Sequence, residues 1–159
     1  MESAAVARED YGTAYSRAQK IKEAGRAEAR DLNALAWYGL FLGKGSEADL
    51  EDAAKAAQLS QNSTSTARAG ILHTLGCLYA ELGKTKEARE VLVQAMDLVN
   101  LDEPDPNYWY AFGRIAEQYG ENQVAAADYA RVTQPKQAIQ IPGSSYRLAQ
   151  MRLKAMPGK

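Results

Sequence analysis

The sequence of 159 residues contains one cysteine, Cys77, and one histidine, His73. A lone cysteine excludes an intramolecular disulfide framework and fits a reducing compartment without fixing one, so cytoplasm and periplasm both stay open. A lone histidine limits most catalytic and metal schemes, and no cofactor is expected. Charge of one sign is also missing: 19 Lys and Arg stand against 20 Asp and Glu. The phosphate attraction behind most nucleic-acid binding is therefore absent, and no nucleic-acid partner is expected. No apolar run approaches a membrane span, and Met1-Glu2-Ser3-Ala4-Ala5 lacks the basic start and apolar stretch of a signal peptide. Membrane insertion is not expected. No long Pro, Gly or Ser tract divides the chain, so residues 1–159 read as one domain.

What is present favours helix. Ala, Leu, Gln, Glu, Lys and Arg dominate over Val, Ile and Thr. The chain also repeats itself. One unit runs Leu72, Leu75-Gly76, Tyr79, Gly83, Ala88, Leu92, Ala95; a second runs Trp109, Phe112-Gly113, Ala116, Gly120, Ala125, Tyr129, Val132. Leu75 and Phe112 are 37 residues apart, as are Ala88 and Ala125. Each unit reads as two helices. Ile71, Leu72, Leu75, Leu78, Tyr79 and Leu82 recur at helical spacing over 67–82, and Gly83 ends the helix as a left-handed cap. Thr85 is expected to cap a second helix through Val99, with Ala88, Leu92, Ala95 and Met96 as its buried stripe. Gly76 and Ala88 are the small residues at which the two helices approach. In the second copy Asp105-Pro106 is expected to be an N-cap followed by a first-turn proline, and Gly120 separates the helices before Asn122.

These units resemble the tetratricopeptide repeat: Leu75-Gly76, Tyr79, Ala88 and Leu92 fill its slots, as do Trp109, Phe112-Gly113, Ala125, Tyr129 and Pro135. A degenerate copy lies upstream at Leu32, Leu35-Ala36 and Gly43, with Ser46-Glu47-Ala48-Asp49 as the capping box of a second helix through Ala53, Ala56 and Leu59. Gly39 leaves its tyrosine slot empty, and Lys44-Gly45 marks a short insertion. Before it, Tyr11, Ala14, Ala18 and Ile21 read as the second helix of another hairpin, Ala14 lying 34 residues before Ala48. Residues 1–9 supply only the end of its first helix, which points to a chain cut from a longer protein. After the repeats, Ser144 is expected to cap a last helix carrying Tyr146, Leu148, Ala149, Met151, Leu153 and Met156. The expected fold is all-α: a right-handed array of antiparallel helical hairpins closed by a C-terminal capping helix. Its units are a partial repeat over 1–28, repeats over 29–62, 67–102 and 105–139, and the cap over 144–156. Leu35-Ala36-Trp37 is also similar to tandem repeats attached to larger bacterial proteins.

Chemistry-bearing patterns are few. His73, Cys77 and Glu81 form an i, i+4, i+8 row on one helix face, a geometry able to offer metal ligands or a thiol beside a base. A fourth ligand, a supporting shell and an oxyanion donor are not visible, so a packing or groove role is expected, with neither catalysis nor metal. Gly39-Leu40-Phe41-Leu42-Gly43-Lys44-Gly45 fails as a phosphate loop, with three residues between the glycines and Gly45 where Ser or Thr must bind magnesium. Asn62-Ser63-Thr64 is a glycosylation triplet that reads better as a polar loop.

The resemblance implies binding on the concave face lined by the first helix of each hairpin. Slot by slot it points to Asn33, Trp37, Leu40 and Phe41, then His73, Cys77 and Glu81, then Tyr110, Arg114 and Glu117. Trp37, Tyr110 and Arg114 are residue types common at binding hot spots. For Trp37 burial and exposure are both open; Tyr110 and Arg114 are expected to be exposed, Arg114 either solvated or paired with Glu117 or Gln118. The Lys and Asn clamp by which some family members hold a C-terminal carboxylate of chaperones is missing. The function expected is a protein-interaction module for a peptide or helix of a partner protein, without catalysis. The alternative is a self-association arm forming homo-oligomers through open repeat ends.

Overall fold

The computed structural model describes residues 10–134 and 143–156. Residues 1–9 of the partial repeat, Pro135 of the repeat signature and the end of the 105–139 repeat lie outside the described residues. The protein is all-helical: among the described residues there are eight helices and no strand. They are α1 (Tyr11–Glu23), α2 (Ala29–Phe41), α3 (Glu47–Leu59), α4 (Ser65–Glu81), α5 (Thr85–Leu98), α6 (Trp109–Gln118), α7 (Asn122–Arg131) and α8 (Ser145–Ala155). None is long and apolar enough to cross a membrane.

Helices α2 and α3, α4 and α5, and α6 and α7 pack as hairpins across short turns. Consecutive hairpins touch, with α2 against α4 and α4 against α6, while α1 leans on α2 and α8 on α6 and α7. One core runs from Tyr11 and Ala14 of α1 to Leu148 and Ala149 of α8. The turns follow from backbone chemistry. Gly83 and Gly120 take φ of +73° and +77°, the left-handed region that glycine enters without steric penalty.

The caps differ in part from their expected form. Ser46 and Asp49 make the capping box: Ser46 Oγ accepts from the Asp49 amide at 3.3 Å, and the Ser46 amide donates to Asp49 Oδ2 at 2.9 Å. Thr85, however, is the first helical residue of α5, with Lys84 at the cap, and its Oγ1 lies 2.8 Å from Tyr119 Oη instead. Asp105-Pro106 does not open α6 either. Asp105 Oδ1 accepts from the Asn107 amide at 2.7 Å, a local turn that delays the helix to Trp109. Ser144 occupies the cap position of α8 with extended backbone and no side-chain cap bond.

Glycine sets the helix spacing. A Cβ on Gly76 would lie 2.7 Å from Leu92, and one on Gly113 would lie 2.6 Å from Tyr129. Leu92 and Tyr129 are themselves 37 residues apart, so the repeated spacing in sequence is a repeated interlock in space.

Candidate functional site

Nine of the ten residues expected to share one face fall into three settings, with Asn33 apart from them. Leu40 and Phe41 lie in the core, where Phe41 stacks on Tyr11 of α1 with ring centroids 4.4 Å apart. The partial repeat therefore covers the Phe41 ring. Cys77 is fully buried within α4.

A second set closes into an ionic cluster. Glu81 accepts from Arg114 Nε at 2.6 Å and from Tyr110 Oη at 3.4 Å. Arg114 Nη1 donates to Glu117 at 2.5 Å, and Tyr129 Oη makes a short bond to the same carboxylate. Arg152 of α8 completes the cluster with a forked pair, its Nε 3.0 Å and Nη2 2.7 Å from the two Glu117 oxygens. Tyr110 is 2% and Arg114 7% exposed, which corrects the expectation that both face solvent. Tyr110 lies against Tyr129 of α7 and Glu81 of α4, and Arg114 is paired with Glu81 and Glu117, to which α8 brings a second arginine. The pairing of Arg114 with Glu117 agrees with expectation. Burial acts to raise the Glu117 carboxyl, but hydrogen bonds from Arg152, Tyr129 and Arg114 outweigh it and hold the group down at about 2.

A third set stays accessible. Trp37 of α2 and His73 of α4 are half-buried, with ring centroids 5.7 Å apart and planes at 49°. Tyr108, just before α6, meets His73 edge-on at 4.9 Å. These rings line a pocket of about 390 Å³ together with Gly70, Asp105 and the stretch Gly143–Ser145. Trp37 Nε1 donates to the Gly143 carbonyl at 2.8 Å, tying the first hairpin to the entrance of α8 across 106 residues of sequence. His73 Nε2 lies 3.1 Å from the Asn107 carbonyl, which requires the proton on that nitrogen. Burial lowers the His73 pKa below its ordinary value, only partly offset by Asn107 and Asp105, so the ring is neutral at pH 7.

The row His73, Cys77, Glu81 does not act as one unit. Cys77 Sγ lies 3.7 Å from His73 Nε2, whereas Glu81 turns to Arg114. Burial pushes the Cys77 thiol well above its ordinary pKa, keeping it protonated and a poor nucleophile. Among the described residues no group of three His, Cys, Asp or Glu side chains lies together in reach of one metal ion.

No known protein family, curated protein or solved structure matches this chain. The site is therefore read from its own geometry. That geometry adds residues the sequence did not single out. Arg152, Tyr108 and Gly143 come from outside the first-helix slots, and only Tyr129 carried a repeat signal. Asn33, one helical turn before Trp37, keeps its Oδ1 buried without a hydrogen-bond partner, the one such side-chain atom among the described residues.

Proposed function

We propose that the chain is a protein-interaction module of tetratricopeptide type, a right-handed array of antiparallel hairpins capped by α8. It receives an extended peptide or a helix of a partner protein on the face formed by the first helices. The observation that carries this reading is the pocket at which α2, α4, the Asp105–Tyr108 turn and the start of α8 converge, lined by residues of the first two hairpins and of the turn that leads into the third. Residues far apart in sequence meet there around a few fixed polar groups, the usual build of a recognition site. The ionic cluster narrows the reading. On α6 the face is taken up by the chain's own α8, so a partner is received on α2 and α4, around Trp37 and His73.

The test is a peptide-library or pull-down comparison of the native chain with Trp37→Ala and His73→Ala. Loss of partner binding in both, with helical circular dichroism retained, is expected. Unchanged binding in folded variants would sink the assignment of this face. Arg114→Ala and Tyr110→Ala are poor probes, because both side chains are buried and their loss perturbs the fold.

A second reading, self-association, is favoured by one feature. Pro104, Trp109, Phe112, Tyr119 and Val124 border an apolar cleft at the last hairpin, and Tyr119 and Val124 are 61% and 50% exposed. Light scattering over a concentration series separates the two: a strict monomer at high concentration removes it.

A further inference from the structure

The pocket at Trp37 has a specific chemical character. Its walls include three rings that meet at angles and not in parallel stacks, and Trp37 also meets Phe41 edge-on at 5.6 Å. Among the described residues, Asp105 is the one acidic residue lining it, and no Lys or Arg lines it. The charge of Asp105 acts on both His73 and Tyr108, which places it close to two of the three rings. Two of the N–H groups at the pocket are engaged: Trp37 Nε1 with the Gly143 carbonyl, and His73 Nε2 with the Asn107 carbonyl. His73 carries no positive charge at neutral pH, so its ring does not repel a cation. A feature of opposite sign is the first turn of α8, where Ser144 and Ser145 line the pocket; both are largely buried, at 7% and 2% exposed, as is Tyr108 at 5%.

Aromatic faces carry negative quadrupole density and attract cations, most strongly where water is excluded and a carboxylate stands nearby. We propose that the pocket walled by Trp37, His73 and Tyr108, with Asp105 among its lining residues, binds an organic ammonium cation, either a free quaternary ammonium compound or a methylated lysine side chain. This goes beyond the peptide-receiving face, since a free ammonium ion would occupy the pocket with no peptide attached. The volume of about 390 Å³ falls within the range of about 300–1,000 Å³ usual for small-ligand pockets. The bond from Trp37 to Gly143 holds the indole in place before binding, which lowers the ordering cost.

The test uses the full chain carrying Trp109→Phe, so that Trp37 is the only tryptophan. Tetramethylammonium is titrated by fluorescence and by NMR, with inorganic phosphate as a parallel arm. Saturable binding of tetramethylammonium, and none of phosphate, is expected. In the native background, read by NMR, Trp37→Ala weakens binding on the order of tenfold or more. Asp105→Asn keeps the turn acceptor, removes the charge and costs a smaller factor, with less dependence on salt. Gly70→Leu guards against misfolding. A Cβ at Gly70 meets nothing within 4 Å, and leucine favours helix over glycine, so this variant is expected to fold, checked by circular dichroism, and to narrow the pocket that Gly70 lines, with loss of binding.

Peptides carrying lysine and trimethyl-lysine identify the source. Tighter binding of the trimethyl peptide than of tetramethylammonium assigns a modified side chain; equal binding assigns free ammonium compounds. Equal binding of the plain and trimethylated peptides would leave only attraction to Asp105 and overturn the aromatic site. Phosphate bound in preference to tetramethylammonium, no saturable ammonium binding, or full binding by Gly70→Leu would each overturn it as well.

Discussion

The first hairpin and the two that follow solve the same packing problem with different chemistry. In α4–α5 and α6–α7 a glycine receives a large side chain from the opposite helix, Leu92 on Gly76 and Tyr129 on Gly113. In α2–α3 the matching slot is Ala36, and the tight approach moves one turn along to Gly39, where a Cβ would lie 2.8 Å from the Asp49 carboxylate. This explains the empty tyrosine slot, since no side chain of any size fits there. The buried carboxylate is not orphaned. Asp49 is 1% exposed and accepts from the Ser46 amide, from Ser46 Oγ at 2.7 Å and from Tyr15 Oη at 3.2 Å. An apolar interlock needs only shape, whereas a polar one needs every lone pair served. α1 is part of that service through Tyr15, and its Lys22 pairs with a second buried carboxylate of α3, Asp52, at 2.7 Å.

The comparison extends to the far end, where α8 does for the third hairpin what α1 does for the first. Glu117→Ala tests it most severely. It removes the carboxylate shared by Arg114, Arg152 and Tyr129 and leaves a buried guanidinium without one of its partners. A loss of about 3–5 kcal/mol in urea unfolding is expected. A loss below about 1 kcal/mol would mean that α8 is held by Leu148 and Ala149 alone.

Next come the glycines. Gly113→Ala is expected to cost about 1–3 kcal/mol by overpacking, and Gly76→Ala less, because the Leu92 side chain gives way more easily than the ring of Tyr129. Gly39→Ala pushes against the Asp49 carboxylate and is expected to match Gly113→Ala. Equal, near-zero midpoint shifts in all three would show that the close approaches are not what sets the helix spacing.

Acid separates the regions by pH. The lowered carboxyl of Glu117 contributes stability above 4.5 that is lost as pH falls from there toward about 2. His73 is a base with a lowered pKa, so its contribution is full above about 6.5 and declines as pH falls through that value. Urea midpoints against pH are expected to fall in two steps, with His73→Gln removing the upper and Glu117→Gln the lower. A midpoint flat between pH 7 and 5 would show that His73 titrates unhindered. The smallest effect has the opposite sign. Asn33→Leu removes a buried acceptor that has no partner, and neutral or slightly raised stability is expected by calorimetry.

The helices were legible in the sequence because their signals are local. Apolar spacing, Ser46 with Asp49, and the glycines at 83 and 120 act within a few residues, and the structure places helices and turns there. Signals that compete locally were misread. Thr85 resembles a cap, but its hydroxyl meets Tyr119. Asp105-Pro106 resembles a helix start, but the aspartate side chain closes a turn on Asn107 first. The face of α6 was legible only in part. Slot spacing puts Tyr110, Arg114 and Glu117 on one side of a helix but does not show whether another helix covers that side.

Sequence alone thus determined the all-helical class, the hairpin pairing and the 37-residue register, since each rests on periodicity and on residues whose backbone preference is intrinsic. Tertiary structure alone decided which part of the shared face stays open. Arg152 reaches Glu117 across 35 residues, and Gly143 takes the indole N–H of Trp37 across 106. Contacts at that range leave no periodic trace in the chain. They exist because α8 folds back onto α6 and α7, engaging Glu117 beside Arg114, while Trp37 and His73 stay half-open around a pocket.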